Sequence, residues 1–191
     1  MIINKLDIKY YGDPVLGNVS SDIETITEEM HNLAKKMIEV MHIYDGVGLA
    51  APQVGVNQNI IVINLSAEYL DSPSISPGEA LLLPQMPATL INPEITSLGT
   101  ETSSLEEGCL SVPEIYAYVT RPTTITLKAL MLSGEIINIE CGGFLSRVLQ
   151  HEVDHLKGKL FIERLAPEEY KKITKKLNRL KKRLTQKGLA K

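Results

Sequence analysis

Apolar residues recur at Met30, Leu33, Ala34, Met37 and Met41, a spacing of three and four that draws one stripe along a helix. Thr27 precedes the stripe as an N-cap, with Glu28 and Glu29 in the first turn, so a helix is predicted to run to about His42. It is stopped by Asp45-Gly46-Val47-Gly48, whose glycines permit backbone angles or close approaches that a side chain forbids. The pattern then turns to runs rich in β-branched residues, at Ile60 to Leu65, Leu90 to Asn92, Tyr116 to Thr120, Thr124 to Leu130 and Glu135 to Glu140. These predict strands, most of them close enough in sequence to pair antiparallel, the last two joined by a turn at Ser133-Gly134.

A second helix is predicted from near Gly143, carrying Phe144, Val148, His151, Glu152 and His155 on one face and ending at Gly158. A third follows Pro167, with Tyr170, Ile173, Leu177, Leu180 and Leu184 as its stripe. Four prolines and little alternation between Ser66 and Ala88 predict a long surface loop with at most a short apolar patch at Leu81 to Leu83. Without a repeat or an internal linker, this order gives an α+β fold: mostly antiparallel strands around the central helix, with a C-terminal amphipathic helix. Residues 1–167 are read as the catalytic body and 168–191 as a basic helical extension.

Composition narrows the picture. With 191 residues, 43% apolar and 23% charged, the chain suits one domain and is too apolar for intrinsic disorder. No apolar run approaches the ~18 to 20 residues of a membrane helix, and the first residues lack the features of a secretory signal, so the cytoplasm is the expected compartment. Charge is divided unevenly: residues 1–167 carry 10 basic and 21 acidic side chains, whereas 168–191 carry 10 basic and 2 acidic. Two cysteines, Cys109 and Cys141, are too few to staple a domain of this size, which leaves at least one free for chemistry.

His151-Glu152-Val153-Asp154-His155 is the strongest chemical signal. Two histidines four apart on a helix present both imidazoles to one point, and the glutamate between them is placed to take a proton from water activated by a divalent metal. A third ligand is needed. The metzincin extension fails, because Phe161 stands where its third histidine belongs, and Glu163, Glu168 and Glu169 lie too near for a thermolysin-like site. Cys109, within Glu107-Gly108-Cys109-Leu110-Ser111, is the leading candidate, in a segment read as loop-like; Cys141 at a strand end is the other. Glu107 and Arg121 are candidates for an ion pair behind that segment.

Three segments, Gly46-Val47-Gly48-Leu49-Ala50-Ala51-Pro52-Gln53, Glu107-Gly108-Cys109-Leu110-Ser111 and Gln150-His151-Glu152-Val153-Asp154-His155, together resemble the motifs of the peptide deformylases, in order and with similar spacing. The stretch from Ser66 to Ala88 is longer than in many members of that family. The resemblance implies Cys109, His151 and His155 as metal ligands with water in the fourth position, and Glu152 as the acid–base group. It also implies Gln53 and the backbone N–H of Leu110 as donors to the developing oxyanion. Val47, Gly48 and Gly108 are expected to meet an extended peptide by strand addition, with an apolar pocket for methionine.

The implied substrate is an N-formylmethionyl nascent peptide, cleaved to formate and a free amino terminus. The implied cofactor is ferrous iron, Fe(2+), with zinc, nickel or cobalt as substitutes. Contact with the ribosome through the basic C-terminal helix is a further expectation, whereas neither a membrane nor DNA is an expected partner. Two alternatives are weaker. An HExxH metallopeptidase leaves Gln53 and the glycine-rich segment unexplained, and a ribosome-binding or nucleic-acid module leaves the metal constellation unexplained.

Overall fold

The computed structural model describes residues 6–66 and 75–189. Its frame is a five-stranded antiparallel sheet in the order β1 (Gly48–Ala50), β2 (Ile60–Ile63), β3 (Ala88–Leu98), β6 (Ile125–Met131), β7 (Ile136–Cys141). A separate two-stranded ribbon pairs β4 (Thr102–Cys109) with β5 (Val112–Pro122). Strand β2 explains the layering. Its residues Ile60, Ile61, Val62 and Ile63 are all fully buried, because successive side chains leave opposite faces of the sheet. Ile61 and Ile63 pack with Leu145, Val148 and Leu149 of α3 (Gly143–Leu156) on one side. Ile60 and Val62 pack with Leu33, Met37 and Met41 of α1 (Glu28–Ile43) on the other. The sheet is thus sandwiched between the two helices, and α3 is held as a rigid rod across its inner face.

The ribbon has its own core. Val112, Ile115, Ala117 and Val119 alternate inward along β5 and meet Ile173, Leu177, Leu180 and Leu184 of α4 (Pro167–Gln186). Each of those four α4 side chains is nearly fully buried, and burial of one such side chain contributes about 1.5–3 kcal/mol. The stripe of the C-terminal helix is therefore part of the molecule's core, while its lysines and arginines stay exposed.

The predicted helices at α1, α3 and α4 stand within a residue or two of expectation, since each has a strong 3.6-residue stripe. Gly158 ends α3's last turn with φ +67, where a β-carbon would lie 2.6 Å from the carbonyl oxygen of Gly17. Three expectations need correction. The segment around Cys109 is not loop-like: it is the end of β4, whose outward polar residues and single partner hide the strand alternation. Strand β1 is also regular structure in a segment read only as a helix stop. The Ser66 to Ala88 stretch is not a loop throughout. It contains α2 (Pro77–Leu82), capped by the Ser76 hydroxyl on the N–H of Glu79 and anchored by fully buried Leu82; residues 67–74 lie outside the described residues.

Candidate metal centre and substrate cleft

Helix α3 places His151 and His155 one turn apart on the same face, with ring centroids 5.0 Å apart. Cys109 reaches them from the tip of the ribbon, where the register slips between Gly108 and Cys109 and turns the thiol toward the helix. Its Sγ lies 3.2 Å from His155 Nε2. One ligand atom from each of Cys109, His151 and His155 falls within 4.8 Å of the others, and among the described residues no other such group occurs. Cys141 is buried on the far side of this arrangement's helix start, packed in the α3-side core, and is not a member.

The donor set fits a divalent cation. Glu107 Oε2 lies 2.9 Å from His151 Nδ1, which places the proton on that nitrogen and leaves Nε2 as a lone pair. Burial holds His155 neutral, so it too offers a lone pair. A sulfur and two imidazole nitrogens suit zinc, iron, nickel or cobalt rather than magnesium or calcium. Among the described residues the buried Glu152 Oε2 has no hydrogen-bond partner, so it is free to accept from a ligand.

Behind the ligands lies a charged cluster that fixes them. Arg121 donates from Nε to Glu107 Oε1 at 2.7 Å, from Nη2 to Glu107 Oε2 at 3.0 Å and from Nη1 to Asp154 Oδ2 at 2.7 Å. Arg147 adds a contact to Glu107 Oε1 at 3.0 Å, and Arg164 pairs with Asp154. Burial alone would raise the pKa of Glu107, but hydrogen bonds from His151 and Arg121 outweigh it and hold the carboxyl at about 2. The expected Glu107–Arg121 pair is present and is the centre of a larger network. Arg147 and Asp154 were not singled out in the sequence, although Arg147 stands one turn before His151 on the ligand face of α3.

Glu152 faces the opposite way, against β1. Burial pushes its carboxyl up to about 7, helped by the charge of Glu107 and opposed by His151 and Arg121. A β-carbon on Gly48 would lie 2.3 Å from Glu152 Oε1, so only glycine admits the carboxylate there. Gln53 sits in the single turn Ala51–Val54 that follows β1. Its Oε1 accepts from the N–H of Ala50 at 2.8 Å, which directs Nε2 toward Cys109 Sγ at 3.4 Å and the Ser111 hydroxyl at 3.3 Å. Ser111, wholly buried, was quoted in the sequence but given no role.

Gln53, Cys109, His151 and Glu152 line a cleft of about 510 Å³. Val47, Gly48 and Gly108, the positions expected to meet an extended peptide, border it, as does Leu110, the expected oxyanion donor. Phe144 and Val148 give it an apolar wall one to two turns along α3 from Glu152. Tyr10, Tyr44 and Tyr116 border it as well, and sequence patterning gave no sign of any of them. The arrangement can hold a metal-activated water, a proton acceptor and amide donors around one reacting carbonyl.

Comparison with known proteins agrees with this chemistry. The Polypeptide deformylase family model matches residues 5–171. A peptide deformylase from Acinetobacter baumannii (strain SDF) is 38% identical over 175 residues, covering 92% of this chain and 91% of the relative. One from Prochlorococcus marinus (strain AS9601) is 42% identical, covering 86% of this chain and 75% of its own length. Among solved structures, a plant peptide deformylase superposes with a TM-score of 0.83 at 34% identity, covering 98% of this chain and 95% of that one. The Thermotoga maritima peptide deformylase gives 0.72 at 38% identity, covering 86% and 99%.

Proposed function

The chain belongs to the peptide deformylase family and removes the formyl group from N-formylmethionine, and from that premise we propose how its residues divide the work. The observation that carries the reading is the convergence of Cys109, His151 and His155 beside the unpartnered Glu152 oxygen. Cys109, His151 and His155 would hold a divalent cation, whose Lewis acidity would bring the pKa of water from ~15.7 toward ~7. Glu152 takes the proton shed by the attacking water and returns it to the amine nitrogen as the C–N bond breaks. Burial raises its carboxyl above the ordinary range, the direction that favours taking up that proton. Formate and a free amino terminus leave.

As the formyl carbonyl becomes tetrahedral, its oxygen gains charge that needs donors fixed in advance. Gln53 Nε2 is one, oriented because its oxygen is engaged by Ala50; the backbone N–H of Leu110 is the other. Val47, Gly48 and Gly108 offer backbone to an extended peptide, and the wall of Phe144 and Val148 receives the methionine side chain. Ferrous iron is the metal we assign, because the family resemblance implies it; zinc, nickel and cobalt satisfy the same donors.

The substrate is the formylated end of a nascent chain, which supports a cytoplasmic site of action beside ribosomes. The exposed lysines and arginines of α4 support ribosome contact, with 168–191 acting as an extension that holds no catalytic residue. Charge reversal at Lys175, Arg179 and Lys182 should abolish low-salt co-sedimentation with ribosomes while turnover of a short peptide persists; unchanged co-sedimentation rejects that role.

The catalytic reading is tested by assaying formyl-Met-Ala-Ser and an unformylated peptide with internal bonds on one preparation whose metal content is measured. Formate release in proportion to bound metal, without internal cleavage, is expected. Internal cleavage without formate release would make the protein an HExxH peptidase instead.

A further inference from the structure

The two proposed oxyanion donors come from separate sheets. Gln53 follows β1 of the five-stranded sheet, and Leu110 lies in the turn between β4 and β5 of the ribbon; no strand pairing joins the two sheets. A short piece of the amino-terminal segment, outside all three family-like motifs, spans the gap. The N–H of Lys9 donates to the carbonyl of Gln53 at 2.7 Å, and the N–H of Tyr11 donates to the carbonyl of Ser111 at 2.8 Å. The segment is anchored on both sides. Ile8 is buried in the core on the α1 side, Tyr11 packs against the ribbon and α4 core, and Tyr10 touches both.

We infer that Lys9–Tyr11 is a backbone clip that sets the distance between Gln53 and the Leu110 N–H and so positions the oxyanion donors of the deformylation site. The inference rests on the reading of those two groups given above. Physically, each donor is one residue or less from a clipped carbonyl: Gln53 itself is held at its own C=O, and Leu110 is held through the C=O of the next residue. The direct side-chain cross-links between the two segments, Gln53 Nε2 to the Ser111 hydroxyl at 3.3 Å and to Cys109 Sγ at 3.4 Å, use the same amide that must turn to the substrate. When that amide leaves Ser111 for the carbonyl oxygen, the two backbone bonds of the clip still hold the segments in register. An error of about 1 Å in such placement costs on the order of 100-fold in rate.

The test removes the N–H of Tyr11 alone, by placing the α-hydroxy acid analogue of tyrosine at that position so that an ester replaces the Tyr10–Tyr11 amide, and compares it with Lys9→Pro. The expected result is a kcat lowered about 10- to 100-fold, with KM for formyl-Met-Ala-Ser within about twofold and metal content equal to wild type. Tyr11→Phe, which keeps the N–H, retains turnover. The ester should also have a smaller effect in a Gln53→Ala background, since only the Leu110 N–H is then left to position. If the ester variant turns over like wild type while Gln53→Ala lowers kcat, the clip is wrong and the donor assignment stands. If Gln53→Ala leaves kcat unchanged, the donor assignment fails and takes the clip with it. A fall in kcat matched by loss of metal also overturns the inference, because the segment would then merely hold the fold.

Discussion

Gly48 lies so close to Glu152 that a β-carbon on it would stand 2.3 Å from the carboxylate oxygen and 2.8 Å from the carboxyl carbon. The glycine of the first motif is thus the floor on which the glutamate of the third rests. Gly48→Ala forces Glu152 to another rotamer while leaving Cys109, His151 and His155 in place. The expected outcome is a loss of kcat of at least about 100-fold with metal content unchanged, measured by formate release and metal analysis. Near-normal turnover would show that the carboxylate works from a different position.

The two cysteines should differ in reactivity. Burial pushes the Cys141 thiol up to about 12, with the charges of Glu79 and Glu140 adding to it. Because only the thiolate is alkylated, labelling of Cys141 in folded protein should stay slow as pH rises from about 7 to 10, a range in which an ordinary thiol becomes mostly thiolate. After chelation of the metal, iodoacetamide should add one label per chain, mapped to Cys109 by peptide mass. Cys109→Ala should lose the metal and Cys141→Ala should keep it; the reverse pattern in metal analysis would move the ligand role.

The Glu107 network makes a prediction about acid. Glu107 titrates near 2 in the folded protein against an ordinary 4.5, so the unfolded chain binds its proton first as pH falls. Its contribution is complete above about pH 5 and is lost on descent toward pH 2, on the order of 3 kcal/mol by linkage. Arg121→Met leaves a buried carboxylate short of two hydrogen bonds and should cost about 3–5 kcal/mol at neutral pH, with a shallower acid slope. Denaturant melts of both proteins from about pH 3 to 7 check this; parallel curves would mean that the pair does not hold the Cys109 end of β4.

How much of this was legible in sequence depends on whether a feature leaves a side-chain period. The stripes of α1, α3 and α4 do, and so does the i, i+4 pair of His151 and His155. The β4 strand shows no clean alternation: Glu107 points inward to three partners, while Leu105 on the same face and Glu106 on the other are both exposed, so the buried position is a charged one. Helix α2 is too short to show a stripe, and its evidence was the Ser76 and Glu79 capping pair. The amino-terminal clip works through peptide N–H groups, which every residue except proline has, so no pattern of side chains announces it.

Removing α4 should damage the fold itself. Its four buried residues cover the inner face of β5, whose other end carries Cys109's neighbours Val112 and Ile115. Leu177→Ala should destabilise the whole protein by about 2–5 kcal/mol in denaturant melts. A change below about 0.5 kcal/mol, the size usual for a surface site, would mean that the helix is only loosely docked.

The central claim is that Glu152 is the proton-transferring group beside a metal bound by Cys109, His151 and His155. Glu152→Gln keeps the shape and hydrogen-bonding reach of the side chain but cannot accept the water's proton, so kcat for formyl-Met-Ala-Ser should fall by about 100-fold or more. Metal content on the same sample should equal that of wild type. Turnover within about tenfold of wild type at full metal loading would contradict the assignment, since general acid–base catalysis of this kind contributes about 10²- to 10⁴-fold.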